Sequence, residues 1–298
     1  LTEITIPSSV TSIGAGAFYK CSSLAEIAIP SSLTLIERNA FSDCSSLTQI
    51  TIPSSVTSIE DYAFTGCSSL AHITIPTSVT SIGRQVFSDC SSLTRITLKS
   101  SLSSIGRQPF SECAHLQSIV VESGNPNYSS LDGVLFNKNF EALLCYPLDK
   151  PGNLYIIPSL VKYLADNAFS DCTALTKITV PSSVISIGND AFYNCNSLTQ
   201  ITIPSSVTSI GDRAFSNCSS LTQITIPSSV TSIGHYAFSN CTSLTQIAIP
   251  SSVTSIGVGI FSDCISLAKI TIPSSVISID DFAFSNCSSL TQITIPCS

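Results

Sequence analysis

Cysteine is the residue type whose abundance and spacing first suggest chemistry. Thirteen occur in 298 residues, and eleven keep one beat: Cys21, Cys44, Cys67, Cys90 and Cys113, then Cys172, Cys195, Cys218, Cys241, Cys264 and Cys287, with 23 residues between neighbours in each block. Thiols in such a series could bind metal, exchange disulfides or fill a core. No Cys-x-x-Cys pair occurs, so the spacing of a zinc or redox site is missing. Stacked at about the 4.8 Å spacing of strands, the thiols would fall within the Cα range a disulfide tolerates, although equivalent positions could pair only two by two. A small buried apolar residue with a weak S–H donor accounts for the column without breaking its symmetry. Cys145 and Cys297 are off the beat, and intermolecular pairing is open to Cys297 near the terminus.

Catalysis has little else to stand on. His72, His115 and His235 occupy different places in the pattern, and none belongs to a His-Glu-x-x-His. Serine recurs with the repeat, and no individual Ser is matched with a base. Gly257-Val-Gly259 lacks the further Gly and the Lys of a phosphate loop. Asp43, Asp89, Glu112, Asp171 and Asp263 each precede a Cys, with Asn194, Asn217, Asn240 and Asn286 in the same place elsewhere. One carboxylate per beat is too few for calcium, which takes about 6–8 oxygens, so the polarity of a short helical turn or solvation is the expected reason. No catalytic residue, metal or cofactor is expected, and the chain reads as a non-enzyme. Asn127, Asn217, Asn240 and Asn286 begin N-glycosylation acceptor patterns, three of them products of the repeat itself.

The elements that carry these residues follow from the repeat. Its unit reads Leu-Thr-x-Ile-Thr-Ile-Pro-Ser-Ser-Val-Thr-Ser-Ile-Gly-x-x-Ala-Phe-Ser-x-Cys-Ser-Ser, and Leu, Phe and Cys all recur every 23 residues. Residues 1–115 hold five such repeats, 116–151 one long irregular repeat, and 152–298 six more with a partial rung. Leu1, Ile4 and Ile6 alternate as in a strand that Pro7 stops; Val10 and Ile13 form a second extended run; Ala17, Phe18 and Cys21 suit one short helical turn. Eight side chains per rung thus point inward. Burying them yields roughly 15 kcal/mol, whereas ordering 23 residues costs about 35 kcal/mol, so one rung cannot fold alone and rungs must stack. The expected fold is one leucine-rich-repeat solenoid over 1–298: a right-handed curved rod of about 12 rungs, mainly β with short helical or 3-10 turns.

Composition agrees and removes other classes. Only 10% of residues are charged and 43% are hydrophobic, which excludes a disordered charged tail. Lys+Arg 12 against Asp+Glu 19 gives a net charge of −7 with no basic patch, so no nucleic-acid partner is expected. No run approaches the ~18 apolar residues of a membrane span, and no membrane insertion within the chain is expected. Leu1 opens the chain without a signal pattern, so a targeting segment is expected to be absent or removed. Neither end carries a polar cap: either the chain is part of a longer protein or its ends pack against something.

The rhythm breaks once. After Ile119 and Val121, Glu122-Ser-Gly-Asn-Pro-Asn-Tyr128 brings turn formers; Gly133–Phe136 and Glu141–Pro147 then flank Asn137-Lys-Asn-Phe140 and read as a hairpin with a four-residue loop, and Pro158 restores register. The aromatics gathered there, Tyr128, Phe140 and Tyr146 among them, either contact a ligand or pack the hairpin onto the solenoid.

The repeat Leu47–Cys67, Leu-Thr-Gln-Ile-Thr-Ile-Pro-Ser-Ser-Val-Thr-Ser-Ile-Glu-Asp-Tyr-Ala-Phe-Thr-Gly-Cys, resembles the BspA-like leucine-rich repeats. The insert Asn125-Pro-Asn-Tyr…Asp132-Gly-Val-Leu-Phe…Tyr146-Pro147 is similar to the long repeat of that family. The resemblance implies a cell-surface or secreted protein, with adhesion to host cells or matrix proteins in some members, and carries over no binding residues. The candidate ligand-binding positions come from the pattern: outward third residues of each rung, Glu3, Glu26, Gln49, His72 and Arg95, then Lys177, Gln200, Gln223, Gln246, Lys269 and Gln292, with the aromatics Tyr128, Phe140 and Tyr146. They suit a host or neighbouring-cell protein or glycan bound weakly at each rung and gaining by multivalency, or they are simply a solvated sheet. A structural scaffold that self-associates end to end through its uncapped ends is the alternative function.

Overall fold

The computed structural model of the protein describes residues 2–294, so the expectations for Leu1 and Cys297 lie outside the described residues. The chain winds as a β-solenoid of about 13 turns with no helix among the described residues. It divides into two compact units, Leu1–Asn139 with Pro147–Lys150, and Phe140–Tyr146 with Pro151–Ser298.

A single rung shows why the sequence folds this way. In residues 47–69, Leu47, Ile50, Ile52, Val56, Ile59, Ala63, Phe64 and Cys67 are each at most 5% exposed, the eight inward positions that the alternation requires. The strand Gln49–Thr51 ends before Pro53, whose carbonyl accepts the Val56 N–H at 3.1 Å and turns the chain into the strand Ser58–Ile59.

The corner after this second strand differs from the expected helical turn. The N–H groups of Ala63, Thr65 and Cys67 donate to carbonyls three residues back, at 3.2–3.3 Å. Between them, Tyr62, Phe64 and Gly66 donate instead to Arg84, Val86 and Ser88 on the next rung, at 2.8–3.0 Å. Tyr62 (φ 59°) and Gly66 (φ 73°) lie in the left-handed region, which turns alternate N–H groups out of the corner and prevents a helix. This also explains the polar residue before each Cys. Asp43, Asp89, Asp171, Asn194, Asn217, Asn240, Asp263 and Asn286 have φ between 55° and 62°, a conformation Asp and Asn tolerate best after Gly. Backbone geometry, rather than helix polarity, selects them.

In the first unit, Glu3–Thr5, Glu26–Ala28, Gln49–Thr51 and His72–Thr74 form a parallel ladder, and Arg95–Leu98 pairs in parallel with Ser118–Val121. Leu35–Ile36, Ser58–Ile59, Ser81–Ile82 and Ser104–Ile105 form a second, shorter ladder. Phe18, Phe41, Phe64, Phe87 and Phe110 stack between them with centroids 5.4–6.0 Å apart.

The irregular repeat adds a further hairpin, ahead of the one expected from the sequence. Tyr128–Leu131 pairs antiparallel with Val134–Asn137, around Asp132 (φ 49°) and Gly133 (φ 78°). Two positive φ values are the signature of a two-residue hairpin turn, which Asp-Gly favours. Asn125, fully buried, holds the hairpin's base. Its Nδ2 donates to the carbonyls of Lys99 (2.8 Å) and Leu102 (3.0 Å), and its Oδ1 accepts the N–H groups of Asn127 and Tyr128, both at 2.8 Å. Val134, Leu135 and Phe136 are buried, so the insert is part of the core.

In the second unit, seven parallel strands form the long ladder: Leu154–Ile156, Lys177–Thr179, Gln200–Thr202, Gln223–Thr225, Gln246–Ala248, Lys269–Thr271 and Gln292–Thr294. Ala142–Cys145 pairs in parallel with Tyr163–Leu164 and opens this unit's short ladder. Phe169, Phe192, Phe215, Phe238, Phe261 and Phe284 stack at 5.1–5.8 Å. Along the corner, each side chain holds the next rung: Asp166 Oδ1 accepts from the Asn189 N–H at 2.9 Å, Asn189 Oδ1 from Asp212 at 2.8 Å, and Asp212 Oδ1 from His235 at 2.8 Å.

Candidate functional site

The thiol column is sealed. The described cysteines are free, and those from Cys44 to Cys113 and from Cys172 to Cys264 on the 23-residue beat are buried. Apart from Cys172, whose Sγ–H faces the carbonyls of Tyr146 and Ser170, each Sγ–H donates to the carbonyl of the Phe on the preceding rung, as Cys67 to Phe41 (3.1 Å) and Cys218 to Phe192 (3.2 Å). Burial pushes these thiols up, Cys44 to about 11 and Cys264 to about 12. A neutral, inaccessible thiol is neither nucleophile nor metal ligand.

Two of the histidines bond to backbone groups. Nδ1 of His115 lies 2.8 Å from the Ser91 carbonyl, and Nδ1 of His235 accepts the Val258 N–H at 3.0 Å. Among the described residues, no group of three His, Cys, Asp or Glu side chains is placed to hold a metal ion.

What faces solvent in an ordered array is the long-strand ladder. Because alternate strand residues point to opposite faces, burying the fourth residue of each rung turns the third and fifth outward. In the first unit the register aligns Glu3 with Glu26, Glu26 with Gln49 and Gln49 with His72, all exposed. Arg95, also exposed, aligns with half-buried Ser118. In the second unit Lys177, Gln200, Gln223, Gln246, Lys269 and Gln292 form one exposed column, with Thr or Ala two residues on. Glu3, Glu26 and Gln49 border a concavity of only about 210 Å³, small beside the several hundred Å³ of a typical small-molecule pocket.

The aromatics of the insert behave differently from the ladder. Tyr146 is 4% exposed, its ring 4.8 Å from Tyr155 and 5.2 Å from Phe169, and its N–H donates to the Ala168 carbonyl as a repeat Phe would. It occupies a Phe place in the core and cannot present itself to a ligand, which corrects its placement among the surface candidates. Tyr128 is half-buried, and its hydroxyl accepts the Ile105 N–H at 2.9 Å; burial pushes that hydroxyl up. Phe140 is half-buried at a left-handed turn (φ 59°).

Two residues of the same face were missed. Leu154 and Ile156 fill the third and fifth places of the rung that follows the insert, in register with Lys177 and Thr179, and are 63% and 74% exposed. Counting back from Pro158 would have found them, since Pro follows the strand in every regular rung but 93–115, which has Lys99 there.

A family model described as a BspA type leucine rich repeat region, in six copies, matches residues 1–117, 59–140, 153–241 and 208–298. No curated protein matches the chain. Among solved structures, the chain is similar to the pneumococcal vaccine antigen PcpA, with 27% identity and a TM-score of 0.82 over 100% of this chain and 80% of that one. A leucine-rich repeat protein of Eubacterium ventriosum shows 28% identity and a TM-score of 0.70 over 99% and 80%. A leucine rich cell surface protein of Faecalibacterium prausnitzii shows 30% identity and a TM-score of 0.62 over 100% and 88%.

Proposed function

Because the chain belongs to the BspA-type leucine-rich-repeat family, we propose that it is a cell-surface or secreted, non-enzymatic adhesion module whose long-strand face binds a protein or glycan of a host or neighbouring cell. Leucine-rich-repeat folds commonly mediate protein interactions, and the similar structures include a leucine rich cell surface protein and a pneumococcal vaccine antigen. The observation that carries the reading is the register itself. Backbone pairing fixes the spacing of Gln200, Gln223 and Gln246, so a ligand meets a regular row of amides whose backbone is already in place and only the side chains remain to be ordered on binding. Each rung contributes weakly, and repetition supplies avidity.

The test compares labelled full chain with two variants on epithelial cells and on surfaces coated with fibronectin or laminin. Gln200→Arg/Gln223→Arg/Gln246→Arg places bulk and charge on the face. Ser205→Arg/Ser228→Arg/Ser251→Arg places the same charges on exposed turns away from it. The reading expects at least a tenfold loss of binding for the first and none for the second; equal binding by both overturns it.

A further inference from the structure

The long-strand face of the second unit is polar except where it begins. Its outward third and fifth positions are Lys, Gln, Thr or Ala from Lys177 to Thr294, but Leu154 and Ile156 in the first strand. The strand between them is anchored from beneath: the Tyr155 ring packs 4.8 Å from Tyr146 and 5.9 Å from Phe169. The two branched side chains are therefore held outward and side by side, about 7 Å apart along the strand. Gln or Lys with Thr serves the same two places in five of the other six rungs of this unit's ladder. Exposed aliphatic groups held on a rigid polar sheet mark an interaction surface.

The charge beside them has one sign. Lys177 aligns with Leu154, Lys269 is the other ion in the column, and no carboxylate stands at a third or fifth position of this ladder, although the whole chain carries −7. We propose that Leu154, Ile156 and Lys177 form the anchor at which this face grips a partner protein, and that the partner presents an apolar side chain with a carboxylate beside it. This rests on the strand face being the binding surface. The apolar side chain covers Leu154 and Ile156, while the carboxylate pairs with the Lys177 ammonium at the patch rim, where charge fixes orientation and encounter rate. A glycan would find neither a hydrogen-bonding group nor an aromatic ring on the two aliphatic chains.

The experiment pans a displayed library of random 12-residue peptides on the full chain, then measures the selected peptides against variants. Leu154→Ser/Ile156→Ser and Lys177→Glu change exposed side chains only, and circular dichroism melts matching the parent confirm that each still folds. The proposal expects selected peptides to pair Asp or Glu with Leu, Ile, Phe or Trp, and to bind both variants at least tenfold more weakly. It expects the loss for Lys177→Glu to shrink as salt is raised, because Coulombic pairing at an exposed rim is screened. Peptides without an acidic bias, peptides that bind the variants equally, or a chain that retains glycans on an array or its own copies but no peptide, overturn it. Peptides lost only with Gln200→Arg/Gln223→Arg/Gln246→Arg overturn the anchor and leave the strand-face reading standing.

Discussion

Raising the pH should unfold this protein over a narrow range, and the thiol column sets where. In an unfolded chain each Cys ionises near its ordinary value of 9.0, while burial first, and then repulsion from neighbouring thiols, hold the folded value higher. The folded state keeps protons that the unfolded state releases. The stability due to each buried thiol is therefore complete below about pH 9 and is lost as pH rises towards the folded value. Between those limits one thiol lowers stability by about 1.4 kcal/mol per pH unit. Five such thiols in the second unit, Cys172, Cys195, Cys218, Cys241 and Cys264, give about 7 kcal/mol per pH unit if that unit opens in one step. Against a total stability on the order of 5–15 kcal/mol, the fold should fail within about two units above pH 9. Urea titrations followed by circular dichroism, at pH 8.0, 9.0, 9.5 and 10 with reductant present, measure the slope. Cys218→Ala shifts the midpoint for packing reasons, but its slope should be shallower by about 1.4 kcal/mol per pH unit, and tyrosine ionisation cancels in the comparison. A stability that stays flat from pH 8.5 to 10, or identical slopes for parent and variant, refutes the reasoning.

Three further outcomes are expected. Phe215→Ala removes a ring lying 5.1 Å from Phe192 and 5.4 Å from Phe238, and should cost about 3–5 kcal/mol in urea denaturation. Asn125→Ala removes the amide that bonds the buried Leu102 carbonyl and the N–H groups of Asn127 and Tyr128, and should cost about 3 kcal/mol while exposing the 122–139 segment to limited proteolysis. Expressed in a glycosylating host, the chain should carry glycan at Asn127 at most, read by intact mass. Asn217, Asn240 and Asn286 are left-handed, and Nδ2 donates to Asn217 Oδ1 at 2.7 Å from Asn240 and to Asp263 Oδ1 at 2.8 Å from Asn286.

Most of the fold was legible because one short pattern, repeated, states its own contacts. Leu47, Ile50, Ile52, Val56, Ile59, Ala63, Phe64 and Cys67 could each be assigned inward from alternation and spacing, and the outward column from Glu3 to Gln292 followed from the same count. The corner was misread because Ala-Phe-x-x-Cys has helical spacing, while its direction depends on φ at Tyr62 and Gly66, and positive φ leaves only a faint mark: Asn, Asp or Gly in many rungs but Tyr, Gln or Arg in others. Within the insert, Asp132-Gly133 is the dipeptide that a two-residue hairpin turn favours, and reading it would have placed the further hairpin of Tyr128–Leu131 with Val134–Asn137. Tyr146 was read as an insert aromatic because the 23-residue count lapses there, although it stands 26 residues before Cys172, the same interval that separates each repeat Phe from the Cys that bonds its carbonyl.

The side-chain bonds that clamp one rung to the next span 22, 23 or 26 residues, as Ser206 to Val184, Thr222 to Thr199 and Cys241 to Phe215. Each group therefore speaks only to the adjoining coil and asks it only for a type of atom that every coil supplies. Excising 198–220 would bring Cys241 to Phe192 and Phe238 against Phe192, so the seam would heal with like partners and no new compatibility to learn. Copy number in such a chain can grow or shrink by recombination while the architecture stays intact, and the long irregular coil, with its own Asn125 lock, is the one stretch that such shuffling must leave whole.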